Sequence, residues 1–525
     1  MSFYLTMRTQ LLFSLLGAGI LIGTGCGHGS DDDSMSSTPP PAQETTPTRG
    51  QLLTNPPAKV GSYTTADLLT QLGVDPLGKD LISLAYTPTC SIDVYQLQYE
   101  TVGGQGELTT ASGALMVPTG SDASCQGPRP VLLYAHGTTA DKNFNIAAIT
   151  ASGNSEGLIL AAEFAAEGYI VIAPNYAGYD TSSLAYHPYL HGDQQSKDMI
   201  DALTAGTKAL PVATAPGVTG NGKVFVTGYS QGGYVAMATQ RAMQGAGMTV
   251  TASAPMSGPY ALSAFGDAIF MGQVSTSAPL NLTLLIDSYQ HSYGNIYTNA
   301  TDAFSAQYVM GIDTLLPSTT SINDLYSSAR LPSSQLFSST PPAPAYAPMT
   351  PATTPANLAV IFAEGFGTAN LLTNTFRQSY LQDAQTNPDG GFPTATNWLP
   401  PTAPGVGLRQ DLKTNDLRSW TPTAPTLLCG GNSDPTVFFM NTQLMQSYWT
   451  ATAPTAPVTV VDIDSSGDPY SDLKIGFAAA KAAVAATAVV GGATDGGAES
   501  VLQNYHAGLV PAFCLSAVKR FFDTH

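Results

Sequence analysis

Charged side chains are scarce in this 525-residue sequence. Lysine and arginine number 19 and aspartate and glutamate 37, so that 11% of the residues carry charge, against roughly 25% in an average soluble domain. The net charge of −18 would repel nucleic-acid phosphates, which excludes a nucleic acid as partner. This composition also excludes a coiled coil and a disordered chain, because the hydrophobic share of 43% is enough for a large buried core.

Cysteine is also scarce, with five residues in the chain. No Cys-x-x-Cys pair occurs, so the spacing matches no zinc pattern and we expect no metal site. Beyond Cys26 the number is even, which in an exported chain predicts two disulfides with three connectivities open. The pairing of nearest neighbours joins Cys90 to Cys125 and Cys429 to Cys514.

Long uncharged apolar runs are lacking, and the longest one near the N-terminus covers residues 11–22, after Arg8. Its length is typical of a signal peptide rather than of a membrane span. The run leads to TGC at 24–26, which resembles a bacterial lipoprotein processing box, with Gly23 in the place that Leu usually takes. We predict a signal peptide over residues 1–25 and lipidation of Cys26, hence an exported outer-membrane lipoprotein. Plain secretion stays the alternative.

Residues 26–58 are rich in Asp, Ser, Thr and Pro and have few large apolar side chains. Such a segment cannot bury enough surface to fold, so we predict a disordered tether.

Beyond the tether, short apolar runs recur, and helical patterns lie between them. The first two extended segments flank the turn Gly103-Gly104, which predicts an antiparallel start. Apolar runs without polar alternation predict strands that are buried on both faces, as in a parallel sheet. The alternation of strands and helices therefore predicts an α/β fold with a mostly parallel central sheet and flanking helices. The later runs are 131–134, 169–172, 224–226, 250–254, 426–428 and 458–463.

This alternation stops between residues 259 and 424, where helical patterns over 280–297 and 303–316 precede a Pro/Thr-rich stretch. A segment of this length is too long for a loop between two strands. We predict that 259–424 form an inserted, largely helical cap. Residues 59–258 and 425–525 would then form the two parts of one core.

The motif GYSQGG at 228–233 directly follows a predicted strand and directly precedes a helical stretch. This is G-x-S-x-G in the strand–turn–helix context of a serine nucleophile, whose hydroxyl projects from a strained turn. Gly228 and Gly232 are expected because a side chain there would collide with the neighbouring strand or helix. The plainer interpretation is a glycine-rich turn with an incidental serine. We predict that Ser230 is the nucleophile.

A serine nucleophile needs a histidine to take its proton and a carboxylate to orient that histidine. In the chain order serine, acid, histidine, the expected base is His506, after the last predicted strand. The expected acid is Asp434, in the turn after the next-to-last predicted strand, which begins at residue 426. Because Asp434 and His506 must touch, the strand ending at Cys429 should meet the terminal helix that carries Cys514. The competing acids after the following strand are Asp462, Asp464 and Asp468.

The tetrahedral intermediate of acyl transfer needs two backbone N–H donors for its oxyanion. One is expected from Gln231, directly after the nucleophile. The other is expected from the turn AHGTT at 135–139, which follows a predicted strand. We predict that Thr138 is this donor, with Thr139 as the alternative.

At these segments the sequence resembles the α/β-hydrolases of the secretory lipase type, the lipase A-like enzymes and esterases. The resemblance rests on GYSQGG at 228–233, on APNYAGY at 173–179 and on the stretch that begins with HPYL at 187–190. His136-Gly137 is similar to the oxyanion loop of lipases and esterases. By organisation, the resemblance covers residues 60–525.

The resemblance implies hydrolysis of carboxylic esters, a helical cap over the site and no cofactor. Asn175 departs from the Asp that is usual at this turn of the family, at a position that is not catalytic. We therefore predict a serine carboxylester hydrolase, a lipase or esterase, that forms an acyl-enzyme on Ser230. Its substrate would be an ester with a hydrophobic acyl chain, and the lipid anchor would attach it to the outer membrane. Two alternatives stay open, a serine peptidase of the same fold that releases short peptides and a non-catalytic surface lipoprotein that binds a ligand.

Overall fold

The computed structural model describes residues 48–83, 87–213 and 217–525. The predicted signal peptide, the lipidation site Cys26 and most of the predicted tether lie outside the described residues. These three features therefore stay predictions.

The end of the predicted tether is bound to the body of the protein. The N–H of Gly50 donates to the carbonyl of Glu100 at 2.8 Å, and Arg49 forms an ion pair with Asp201 at 3.0 Å. Residues 49 and 50 of the predicted tether therefore contact the folded body. Backbone pairing and a single ion pair leave no apolar pattern in the sequence, so composition does not predict these contacts.

A nine-stranded sheet forms the centre of the molecule. The strands, including a separate two-stranded pair formed by β8 and β9, are β1 Ala58–Tyr63, β2 Ser91–Val102, β3 Leu108–Thr119, β4 Pro128–Ala135, β5 Ile170–Pro174, β6 Thr219–Tyr229, β7 Ala252–Met256, β8 Phe337–Ser338, β9 Phe366–Gly367, β10 Thr426–Gly430 and β11 Val458–Asp462. The strand order is β1-β2-β3-β5-β4-β6-β7-β10-β11. Antiparallel pairing joins β1, β2, β3 and β5, and every later pair is parallel. The predicted antiparallel start and parallel sheet are confirmed.

Helices cover the sheet and fill the long segment between β7 and β10. They are α1 Thr65–Val74, α2 Pro76–Ser83, α3 Ser155–Glu163, α4 Gly192–Ala213, α5 Gln231–Gly245, α6 Leu262–Phe270, α7 Ala278–Tyr293, α8 Ile322–Ser327, α9 Ala359–Glu364, α10 Asn374–Thr386, α11 Gly407–Thr414, α12 Met440–Thr452, α13 Ser471–Val490, α14 Ala498–Asn504 and α15 Val510–Asp523. The fold is thus the predicted α/β class with flanking helices.

The segment between β7 and β10, residues 257–425, is called the insert below. It contains α6 to α11, and α7 corresponds to the helix predicted over 280–297. The helix predicted over 303–316 is wrong, since this stretch contains only a short 3-10 turn, Ile312–Thr314. Gly311 precedes that turn with a φ of 66°, a left-handed conformation that a helix cannot contain. The division of the chain into a core and a cap stays a prediction.

By length and composition, α13 is the one described helix that could cross a membrane. Its N-terminal half packs against the C-terminal part of the folded body, while most of its length is at least partly exposed. Leu473 and Phe477 are buried, and the ring of Phe477 meets that of Phe513 edge-on, with centroids 5.6 Å apart. Lys481 forms an ion pair with Asp464. These contacts make α13 a part of the α/β body.

Two disulfides connect distant parts of the chain. Cys90 is bonded to Cys125, and Cys429 is bonded to Cys514, so the nearest-neighbour pairing is confirmed. The second bond joins the end of β10 to α15, as the expected contact of acid and base loops requires. Disulfides form in oxidising compartments, which supports an exported protein.

Candidate active site

Ser230 occupies the single-residue turn between β6 and α5. Its φ of 60° and ψ of −120° lie in a region that a residue with a Cβ adopts only when its surroundings enforce it. The N–H of Ser230 donates to the carbonyl of Met256 at 3.0 Å, and its own carbonyl accepts from Tyr234 at 3.2 Å. The strained turn expected from the motif is present.

The glycines of the motif are required by close backbone packing. A Cβ on Gly232 would lie 1.9 Å from the carbonyl oxygen of Ala135, and one on Gly228 would lie 2.5 Å from the same atom. A Cβ on Gly233 would lie 2.2 Å from the carbonyl oxygen of Met256. A side chain at any of these three glycines would therefore collide with the backbone where β4, β6, β7 and α5 meet. The predicted collision at Gly228 and Gly232 is confirmed.

Three predicted residues form a continuous hydrogen-bonded chain. Nε2 of His506 lies 2.8 Å from Oγ of Ser230, and Nδ1 of His506 lies 2.6 Å from Oδ2 of Asp434. The second carboxylate oxygen of Asp434 accepts the N–H groups of Thr436 at 2.9 Å and Val437 at 3.0 Å. Asp434 is thus held in one orientation from both sides.

A π-helical turn, Tyr505–Leu509, presents His506 between α14 and α15. Such turns are frequent at functional sites. The hydroxyl of Tyr229, the variable residue before the nucleophile, donates to the carbonyl of His506 at 2.5 Å. This bond ties the histidine turn to the serine turn, and the sequence analysis missed it.

The competing acids do not contact His506. Asp464 accepts the hydroxyl of Tyr505 at 2.7 Å, while Asp462 accepts the side chain of Asn432 at 2.8 Å. Asp462 therefore supports the acid loop, and Asp464 supports the turn that carries His506. The imidazole is bonded to Asp434 and not to Asp468.

Both expected oxyanion donors lie beside the serine. Gln231 is the first residue of α5, where an N–H group has no partner within the helix, and Thr138 lines the cleft together with Ser230. The side chain of Gln231 is turned away, because its amide lies 2.7 Å from Nε2 of His187. Burial lowers the pKa of His187 to about 3, so this ring is neutral and accepts the amide hydrogen.

The loop that carries Thr138 is built on buried side chains. Nδ1 of His136 lies 2.6 Å from the carbonyl oxygen of Gly137, and Nε2 lies 3.1 Å from that of Asn175. Burial lowers the pKa of His136 to about 4, so the ring is neutral at pH 7. Glu156, which the sequence analysis missed, accepts the N–H of Gly137 at 3.1 Å. The only sequence signal for Glu156 is its place in the first turn of a helix.

Two cavities meet at Ser230. One is a narrow pocket of about 50 Å³ that reaches into the insert, and the other is a wider cleft of about 370 Å³ next to His506. Asn281 and Thr436 line both of them. Most of the apolar lining of the narrow pocket comes from α6, α7 and α11, and other segments add Leu190, Pro259 and Val437. The residues from the three helices are Leu262, Phe265, Ile269, Phe270, Leu282, Leu285, Leu408 and Leu412. A substrate at Ser230 can therefore place an apolar part and a second part on opposite sides of the serine.

Across residues 48–83, 87–213 and 217–525, no cluster of three or more His, Cys, Asp or Glu side chains is placed to hold a metal ion.

Similarity to solved structures identifies the fold. The rice cell wall degrading esterase LipA from Xanthomonas oryzae is 29% identical, with a TM-score of 0.61 over 79% of this chain and 91% of that chain. The chain has the α/β-hydrolase fold. A mutant of the same esterase aligns over 91% of this chain and 100% of that chain, at 26% identity and a TM-score of 0.66.

Two further comparisons are consistent with the α/β-hydrolase fold. The prolyl oligopeptidase family matches residues 160–261, which include the serine turn. A Legionella pneumophila protein at 19% identity shares the fold, with a TM-score of 0.58 over 78% of this chain and 91% of that chain. No curated protein sequence matches this chain. The fold and its similarity to an esterase support a serine hydrolase.

Proposed function

We propose that this protein is a serine carboxylester hydrolase that works through an acyl-enzyme on Ser230. In this proposal His506 is the general base and then the general acid, and Asp434 orients it. The N–H groups of Gln231 and Thr138 stabilise the oxyanion.

The contacts support each proton transfer. Nε2 of His506, 2.8 Å from Oγ of Ser230, takes the hydroxyl proton as Oγ attacks the ester carbonyl. The Nδ1–H group donates to Asp434, whose carboxylate stabilises the imidazolium that forms. Nε2 then gives the proton to the departing alcohol, and a water molecule repeats the sequence to release the acid.

The observation that carries the ester assignment is the apolar pocket directly beside Ser230. An acyl chain fits such a pocket because burying each CH₂ group stabilises the bound state by roughly 0.8 kcal/mol. The alcohol part would lie in the wider cleft next to His506, which then protonates it. The narrowness of the pocket, about 50 Å³, favours short acyl chains.

A serine peptidase is the second candidate, supported by the match to the prolyl oligopeptidase family. A peptidase that releases short peptides needs a carboxylate to bind the substrate ammonium group. The acidic residue that lines the cleft is Glu156, but its oxygens already accept from Tyr134 and Gly137. This occupancy favours the esterase.

A side-by-side assay tests the proposal. Purified protein and a Ser230→Ala control are given p-nitrophenyl esters from acetate to palmitate and a set of aminoacyl p-nitroanilides. We expect Ser230-dependent turnover of the esters with a maximum at short chains. Faster turnover of the anilides would reject the esterase assignment in favour of a peptidase. No turnover of either substrate would favour a non-catalytic lipoprotein that binds a ligand.

We further propose that the lipid anchor of Cys26 attaches the exported enzyme to the outer membrane. The support is the TGC box at 24–26 and the two disulfides, which require an oxidising compartment. In a bacterial host, wild-type protein should incorporate labelled palmitate and sediment with membranes. Cys26→Ser should abolish both, and unchanged labelling would reject the anchor.

A further inference from the structure

The cleft contains one carboxylate that the proposed mechanism does not use. Glu156, in the first turn of α3, lines the cleft together with Gly137 and Thr138. Its Oε1 accepts the hydroxyl of Tyr134 at 2.8 Å, and both of its oxygens lie 3.1 Å from the N of Gly137. A glutamate at a helix N-terminus commonly interacts with the helix dipole. These two donors, however, belong to β4 and to the turn that follows it.

The peptide unit between His136 and Gly137 is fixed at both of its polar ends. Its carbonyl, which belongs to His136, accepts the hydroxyl of Tyr176 at 2.9 Å. Its N–H, which belongs to Gly137, donates to Glu156. Because a peptide unit is planar, the two bonds together select one orientation of this plane.

The next peptide unit, between Gly137 and Thr138, carries the proposed oxyanion donor. Its carbonyl oxygen lies 2.6 Å from Nδ1 of His136, where it can accept a hydrogen bond from an Nδ1–H group. In a trans peptide the N–H points away from the carbonyl, so the N–H of Thr138 is directed away from His136. Within the described part of the chain this N–H has no hydrogen-bond partner, which leaves it open to a developing oxyanion.

We propose that Glu156 is the positioning residue of the oxyanion loop. Its carboxylate fixes the N–H of Gly137 and thereby directs the N–H of Thr138 to the oxyanion. The inference rests on the proposed serine-hydrolase mechanism and extends it to a residue outside the triad.

The role requires a hydrogen-bond acceptor and not a negative charge. A charge this close to an oxyanion would oppose its formation. Burial raises the pKa of Glu156, while the bonds from Tyr134 and Gly137 act in the opposite direction. A neutral acceptor of the same shape should therefore replace the carboxylate.

Three substitutions of Glu156 separate the acceptor from the charge. Glu156→Gln keeps an acceptor oxygen at the Oε1 position, which both Tyr134 and Gly137 contact, and replaces Oε2 with an amide nitrogen. Glu156→Asp keeps the charge but moves the carboxylate back by one methylene group, and Glu156→Ala removes the carboxylate. The matched control is Glu163→Gln on the same helix, whose carboxylate accepts the hydroxyl of Ser516 at 3.1 Å. Burial raises the pKa of Glu163 to about 8, so glutamine resembles its neutral form at pH 7.

Two rates report on the oxyanion site. One is kcat for p-nitrophenyl butyrate, and the other is the rate of inactivation by diethyl p-nitrophenyl phosphate, whose phosphoryl oxygen would occupy the oxyanion position. We expect Glu156→Ala and Glu156→Asp to lower both by about 10²-fold, with KM changed by less than about threefold. Glu156→Gln should lower them by less than about fivefold, and Glu163→Gln should leave them unchanged.

The proposal is overturned if Glu156→Gln loses as much activity as Glu156→Asp, since an uncharged acceptor oxygen at the native position would then not be sufficient. It is also overturned if Glu156→Asp keeps wild-type rates. Should Glu156→Ala not fold, as its Tm would reveal, the comparison of the Gln and Asp variants still decides. Inactivation by the phosphate needs no ester turnover, so it tests Glu156 even for a peptidase. Failure of the wild type to be labelled at Ser230 would instead reject the proposed function.

Discussion

The sheet and the insert of this α/β-hydrolase are stabilised by different means. Every residue of the strands β5 and β10 is buried, and all of them except Thr426 lack a polar side chain. The insert instead contains three buried arginines, Arg377, Arg409 and Arg418, each at most 1% exposed. A buried ion is tolerated only when it is paired and hydrogen-bonded. The insert therefore depends on specific polar partners where the sheet depends on apolar area.

All three arginines support α6, which forms one wall of the apolar pocket. Arg418 donates to the carboxylate of Asp416, which also accepts the N–H of Ser263. Arg409 donates to the carboxylate of Asp267. Arg377 donates to the carbonyl of Phe270. The three contacts lie on successive turns of the helix. The sheet thus positions Ser230, Asp434 and His506, and the insert forms most of the narrow pocket beside them. Changes in the sheet loops should affect kcat, and changes in the insert should affect stability or substrate choice.

The largest effect is expected at the serine turn. Ser230→Ala should lower kcat for a short p-nitrophenyl ester by about 10⁵-fold while the protein keeps its fold, because the nucleophile is lost. The measurement is the steady-state rate per mole of purified protein, together with a thermal unfolding curve that shows whether the variant is folded. A variant that kept a tenth of the wild-type rate would exclude Ser230 as the nucleophile.

The next largest effect should distinguish two aspartates of neighbouring loops. Asp434→Asn should lower kcat by about 10⁴-fold, because the imidazole loses the partner that fixes its tautomer. Asp464→Asn should lower it by less than about tenfold, since Asp464 acts on Tyr505 and Lys481. Steady-state rates of both variants test this order. The reverse order would move the acid to the later loop.

The insert is expected to respond through stability. Arg409→Met would leave Asp267 and Asp383 without their shared cation, which should lower the free energy of unfolding by about 3 to 5 kcal/mol. The matched control is Arg520→Met, whose ion pair with Asp472 is exposed. It should change stability by less than about 0.5 kcal/mol. Urea unfolding of both variants measures the difference, and equal effects would contradict the comparison of buried and exposed ion pairs.

This contrast explains how far the sequence predicts the molecule. Parallel strands such as 426–428 are continuous apolar runs, and the turn around Ser230 has its own motif, so both are visible locally. Chain order then brings Asp434 and His506 to the serine. The helix predicted over 303–316 failed because apolar content alone does not exclude a left-handed Gly311.

The sequence does not predict polar residues whose hydrogen-bond partners are distant along the chain. Glu156 serves a turn that precedes it by about twenty residues, and no local pattern marks this contact. The same holds for Arg409, whose partner Asp267 lies on another helix of the insert. Such polar pairs are set by geometry that only the folded chain provides.

The smallest expected effect concerns substrate choice. Leu282 of α7 lines the narrow pocket and is buried. Leu282→Ala would extend the space beside Ser230, so that a longer acyl chain can bury about two more methylene groups.

We expect the ratio of kcat/KM for p-nitrophenyl octanoate to that for the butyrate to rise by about tenfold in Leu282→Ala. The control is Leu473→Ala, which opens a cavity under α13, away from the pocket. Because both variants lose a buried leucine, both should lose stability, and only the pocket variant should change the ratio. If the ratio stayed constant in Leu282→Ala, the acyl chain would not lie in the insert. The insert would then stabilise the cleft without selecting the substrate.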